Sequence, residues 1–195
     1  MSKPIKHVND RSLLRFADEV TSHFAFLEAR DFRCVCSEGT LVRFESPELA
    51  INIYHGRQSY EIGLELESPV STTDHYSLSE LLRLVDPERA EHYRSFATHS
   101  EQGVSDGVRQ LAESFQRCVA AGILNNTEIF SRLKLQRQKL NKDYALDVQL
   151  EQVRKKAEVA WHNKDYATVV RTLKPLRGSL SASEIAKLEF AEKHL

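Results

Sequence analysis

The 195-residue chain is predicted to be an α+β protein, with an N-terminal helix packed on a small four-stranded antiparallel sheet and an all-helical C-terminal half. Three observations carry this. Between residues 32 and 66, apolar and polar residues alternate with a period of two, the signature of half-buried strands. On either side, apolar residues recur in steps of three and four, the period of a helix. The strongest helix-start signals, Ser77-Leu78-Ser79-Glu80, Asp86-Pro87 and Ser181-Ala182-Ser183-Glu184, all follow the alternating stretch. The change of period near residue 70 divides the chain into a helix-plus-sheet part, 1–70, and a helical region, 71–195. The second packs either separately or as one domain with the first.

The first helix is expected over residues 10–28, where Leu13, Ala17, Val20, Phe24 and Leu27 form one apolar face. Asp10 is placed to cap it, its carboxylate accepting from a free backbone N–H of the first turn. Four strands follow. Residues 32–37 put Phe32, Cys34 and Cys36 on one face, and residues 40–46 do the same for Val42 and Phe44. Residues 49–55 align Leu49, Ile51 and Ile53, and residues 59–66 align Tyr60, Ile62, Leu64 and Leu66, with Glu61, Gly63 and Glu65 opposite. Gly39, Pro47 and Gly56 punctuate these runs, and such short links make neighbouring strands antiparallel. Residues 68–74 lack periodicity and read as a linker.

In the second half, two Ser-x-x-Glu capping boxes satisfy free N–H groups reciprocally at helix starts. Pro87 suits a first helical position. Val104, Val108, Leu111, Phe115 and Val119 form a further stripe, which Gly122 ends. A helix capped by Asn126 or Thr127 is expected toward Leu140, and a separate long one over residues 146–162. Asp165 opens the next, and a last helix reaches the C-terminus.

Two resemblances accompany this plan. Ala160-Trp161, Asp165-Tyr166, Val169-Val170 and Leu173 make residues 157–195 resemble one tetratricopeptide unit. In that family a small residue and an aromatic end the first helix, and an Asp-Tyr pair opens the second, which packs back on it. Lys164 stands where the family usually has Gly, and no second copy follows at a period of about 34 residues. The resemblance therefore implies a single helical hairpin rather than a peptide-binding array. Phe26-Leu27-Glu28, Phe32, Val42-x-Phe44-x-Ser46, Ile51-x-Ile53-Tyr54 and Tyr60-Glu61-Ile62 are similar in layout to small uncharacterised bacterial proteins, some of them suspected immunity proteins.

Composition narrows the function classes. Lys and Arg total 27 and Asp and Glu 28, so net charge predicts neither nucleic-acid nor membrane binding. No run approaches the ~20 apolar residues of a membrane span. Residues 1–10 lack the apolar segment of a secretory signal, which leaves the cytoplasm as the expected location. There is no G-x-S-x-G elbow, phosphate-binding glycine loop or dinucleotide fingerprint, and no cofactor is expected.

Cys34-x-Cys36 places two thiols on one strand face, but structural zinc needs four ligands and no second Cys pair exists. The pair is instead expected as small apolar residues in the sheet core, and no metal site is assigned. The eight histidines do not cluster and are expected at surface or capping positions.

Charge is segregated within the near-neutral total. Residues 59–91 hold eight acids against two bases, and residues 128–160 hold eight bases against five acids. Glu61 and Glu65 beside Glu45 would form an exposed carboxylate ladder, unfavourable unless Arg43, solvent or a basic partner relieves it. The leading expectation is thus a non-catalytic protein–protein interaction protein, plausibly a bacterial immunity or inhibitor-like factor, docking a basic protein at Glu45, Glu61 and Glu65. One alternative is a hydrolase-type enzyme with a site assembled from distant residues such as Cys34, His75 or His92. Another is a nucleic-acid accessory protein using Arg132, Lys134, Arg137 and Lys139, whose interleaved acids make it the weaker reading.

Overall fold

The computed structural model describes residues 11–68 and 71–195, and in it the alternating segments form an antiparallel sheet. Its strands are β1 (Arg33–Glu38), β2 (Leu41–Glu45), β3 (Ala50–His55), β4 (Glu61–Ser68) and β5 (Ser71–Ser77), hydrogen-bonded in that order. A two-residue strand β6 (Phe96–Ala97) pairs β4 through Ile62↔Phe96. The helices are α1 (Phe16–His23), α2 (Leu78–Val85), α3 (Pro87–His92), α4 (Glu101–Ala120), α5 (Ile129–His162), α6 (Tyr166–Leu173) and α7 (Ala182–Lys193).

Register follows from the period of two. Phe44 lies opposite Ile51, which lies opposite Leu66, and Val42, Ile53 and Leu64 form the adjacent row. These residues and Ile62 are buried against Phe16, Val20, Phe24 and Leu27 from the first segment, and against Leu78, Leu82, Val108 and Phe115 from α2 and α4. Helix α4 comes close because Gly107 has no side chain; a Cβ there would stand 2.7 Å from both Ile62 Cδ1 and Phe96 Cδ1. Caps behave as the sequence suggests. The Ser77 N–H donates to Glu80 Oε2 (3.0 Å), the Arg89 N–H donates to Asp86 Oδ1 (3.1 Å), and Gly122 ends α4 at φ 84°.

The chain divides into two units, Met1–Gln136 and Arg137–Leu195, not near residue 70. The physical reason is the core: α2, α3, α4 and the start of α5 bury Leu78, Ala90, Phe115 and Leu133 in the same cluster as the sheet. In the second unit, Ala157 and Ala160 of α5 pack with Val169 and Leu173 of α6 and Leu188 and Ala191 of α7. Asp165 caps α6 by accepting from the Thr168 N–H (3.0 Å). Ser181 and Glu184 cap α7, and Arg154 Nε donates to Glu184 Oε1 (2.6 Å), holding that carboxyl down at about 2.

Several expectations are corrected. The first helix is not continuous. A 3-10 turn at Arg11–Leu14 meets α1 at Arg15, whose φ is 52°, and another follows at Ala25–Arg30. This break rotates the leading turn, so Leu14 is buried and Leu13 is 61% exposed. The capping position assigned to Asp10 lies outside the described residues.

Of the expected linker, Ser68 ends β4 and residues 71–74 open β5, whose polar sequence hid a strand held by backbone pairing to β4 at the sheet edge. The two helices expected around residues 127–162 are the single α5, since no Gly or Pro interrupts the span. Cys34 and Cys36 are not core residues. Edge strand β1 carries an irregularity between them that shifts the register, leaving Cys34 exposed and Cys36 half-buried.

The shared core has a measurable consequence. Phe115 of α4 is fully buried, with its ring centroid 6.3 Å from Phe24 and 6.4 Å from Phe26. Phe115→Ala is expected to destabilise the first unit by about 3–5 kcal/mol in urea unfolding, with strand and helix signals of that unit shifting together.

Candidate functional site

The face of the sheet opposite the core carries Arg43 and Glu45 on β2, Asn52 and Tyr54 on β3, and Glu61, Glu65 and Glu67 on β4. Arg43 is its only cation on these strands and is fully used. Its Nε donates to Glu45 Oε1 (2.5 Å), and Nη1 donates to Glu67 Oε2 (2.5 Å) and Asn52 Oδ1 (2.9 Å). Asn52 and Glu65 stand opposite each other, and the Tyr54 ring lies over Gly63, where a Cβ would come within 2.3 Å of its Cζ.

The three carboxylates proposed from the sequence therefore differ. Glu45 is neutralised by Arg43, a contact its neighbour two residues back makes on the same strand face. Glu61 and Glu65 have no cation within ion-pairing distance among the described residues. They sit four residues apart on β4, about 13 Å along the strand. Burial, then Glu65 and Glu61, hold the Tyr54 hydroxyl pKa above its usual value. Glu67, which the sequence reading did not single out, is the second carboxylate of the Arg43 cluster.

Glu61 also faces a cavity of about 270 Å³ with Tyr54, Ser77, Ser79, Tyr93 and Arg94. A larger cleft of about 710 Å³ lies between α3 and α4, floored by Ile62, Phe96 and Gly107. Its polar rim mixes signs, with Arg89, His92 and Arg94 against Asp86, Glu88 and Glu113. Tyr93 lines both cavities, and burial pushes its hydroxyl up to about 12.

Cys34 and His75 of the enzyme alternative do not meet. Cys34 is on β1, His75 on β5 and His92 on α3. Four strand spacings separate β1 from β5, about 19 Å, far beyond the reach of a thiol–imidazole hydrogen bond. Among the described residues no group of three His, Cys, Asp or Glu side chains could hold a metal ion. The basic-helix residues are exposed or half-buried on α5, Arg132 and Lys134 in the first unit and Arg137 and Lys139 in the second.

Among the described residues, one histidine departs from the surface expectation. His55 is 1% exposed, its ring stacked on Phe16 at 5.7 Å and its Nε2 3.0 Å from the Thr98 carbonyl. Arg11 Nη1 donates to the His55 carbonyl (3.1 Å), and the guanidinium lies 4.2 Å over the Tyr60 ring, which itself packs on His99. The signal was present: His55 continues the inward series Leu49, Ile51, Ile53. Burial, opposed in part by the Thr98 hydrogen bond and reinforced by Arg11, lowers its pKa.

No protein-family model matches this chain, and neither a curated protein nor a solved structure matches it.

Two outcomes are expected. His55 is held neutral, so the unfolded chain binds its proton more readily; stability is complete above the unfolded value of about 6.5 and declines as pH falls below it. Urea midpoints measured from pH 8 to pH 5 should show this decline, with a smaller slope in His55→Gln. A thiol reagent at neutral pH should label the exposed Cys34 in the folded protein and spare Cys118, buried and pushed up to about 12, until denaturant is added; mass spectrometry reads the sites.

Proposed function

We propose that the protein is a non-catalytic protein–protein interaction protein that docks a basic partner on the outer face of its sheet. The observation that carries this reading is the inequality among the carboxylates. Arg43 neutralises Glu45 and Glu67, whereas Glu61 and Glu65 keep uncompensated charge beside Tyr54. Like charges on one strand face are unfavourable in the free protein, and a lysine- or arginine-bearing partner removes that cost on binding. Charge of one sign also raises encounter rate and rejects acidic competitors. Tyr54 supplies the aromatic contact that protein-binding surfaces favour.

A bacterial immunity or inhibitor-like factor is the class this surface suits, since such a factor must recognise another protein without transforming it. The helical pair at the chain's end, read as a tetratricopeptide-like hairpin, is a supporting scaffold in this proposal. No helix is long and apolar enough to cross a membrane among the described residues, which leaves a membrane partner unsupported.

The test is titration with a lysine-rich peptide followed by amide chemical shifts. Shifts should map to β3 and β4 and shrink as salt rises. Glu61→Lys combined with Glu65→Lys should weaken binding roughly tenfold or more, while Arg132→Ala with Lys134→Ala leaves it unchanged. Equal affinity in the double lysine variant would remove the acidic face from the mechanism.

A further inference from the structure

The second unit carries an apolar stripe that none of its own helices covers. Leu140, Tyr144 and Val148 follow one another at steps of four along α5 and are 38%, 72% and 38% exposed. The unit's core begins farther along, where Ala157 and Ala160 meet α6 and α7. Three large apolar side chains aligned on one exposed helix face are an interaction surface rather than scattered singletons.

The charges at the ends of the stripe identify the occupant. Arg137 lies seven residues before Tyr144 and Glu151 seven after it, both on the same helix face as the stripe. Leu140 and Val148 lie four before and four after, and Asn141 and Asp147 three before and three after. The segment is thus symmetric about Tyr144 in position and complementary in charge.

We propose that α5 pairs with α5 of a second copy of this chain, antiparallel, about a two-fold axis passing Tyr144. In that arrangement Tyr144 meets Tyr144, Leu140 meets Val148, Asn141 meets Asp147 and Arg137 meets Glu151. The Tyr144 contact lies on the axis and occurs once, and each of the others occurs twice, as an isologous interface requires. A parallel pair would set Arg137 against Arg137 and Glu151 against Glu151, so charge selects the antiparallel form. The exposed Glu151–Lys155 pair one turn apart does not prevent this, because solvated pairs of that kind contribute little. The paired segment is 15 residues, about 22 Å of helix, an interface at the small end of specific ones. The dimer is therefore reversible and weakens with salt.

Sedimentation velocity of the full chain from roughly 10 µM to 1 mM reads the equilibrium. The wild type should shift from monomer to dimer across that range. Tyr144→Glu should remain monomeric with unchanged helix content by circular dichroism. Arg137→Glu should weaken association several-fold, and adding Glu151→Arg should restore it.

Orientation is read by cross-linking on a Cys34→Ser, Cys36→Ser background. Leu140→Cys and Val148→Cys chains should form a mixed disulfide when combined and little alone. A wild type monomeric throughout, a dimer unaffected by Tyr144→Glu, or preferential self-cross-linking of Leu140→Cys would each overturn the proposal.

Discussion

Everything in the first unit depends on taking one face of the sheet out of water. Val42, Phe44, Ile51, Ile53, Ile62, Leu64 and Leu66 are all at most 1% exposed. Full burial of such side chains contributes about 1.5–3 kcal/mol each, so no rearrangement that wets this face is tolerable. The strand period then leaves no freedom for the other face. A register slip of one residue would bring Arg43, Glu45 and Glu65 inward and the aliphatic rows outward. The acidic surface is a by-product of this constraint in its position, though not in its composition.

A lone arginine among four carboxylates sits on β2, within reach of Glu45 on its own strand and Glu67 two strands away. The two remaining carboxylates flank Gly63, whose missing side chain lets the Tyr54 ring lie flat between them. On α5, by contrast, lysines and arginines interleave with the acids. At the end of β3 and β4 away from the Arg43 cluster, Arg11, Tyr60 and His99 close over His55 and anchor the segment before α1 to the β3–β4 turn. Tyr60 takes a φ of 54° at that turn, an unusual backbone state for a bulky side chain, held by the packing around it.

Helix α5 shows how one element serves two cores. Ile129 and Leu133 belong to the first, Ala157 and Ala160 to the second, and the exposed stripe lies between those anchor points in the chain. Its large residues at the first core and small ones at the second fit their neighbours. Ile129 and Leu133 lie in the cluster that holds Leu82 and Phe130, while the alanines share theirs with Val169 and Leu173 of α6 and Leu188 and Ala191 of α7.

The sequence by itself determined the α+β class, the four alternating strands, the buried rows of β2, β3 and β4, the capping of α2, α3, α6 and α7, and the side of β4 on which Glu61 and Glu65 stand. These are local properties, set by period, by side-chain hydrogen bonds a few residues away and by turn residues. Tertiary structure alone decided the rest. A polar strand such as β5 exists only because β4 offers it backbone partners, and β6 because α4 approaches over Gly107. Cys34 lost its place in the core through an irregularity at a sheet edge, and His55 gained one because Phe16 and Thr98 meet it there. Which carboxylates stay uncompensated depends on where Arg43 reaches across three strands, and the division at Gln136 depends on which core each helix fills. Such outcomes are long-range sums of contacts, and no window of neighbouring residues contains them.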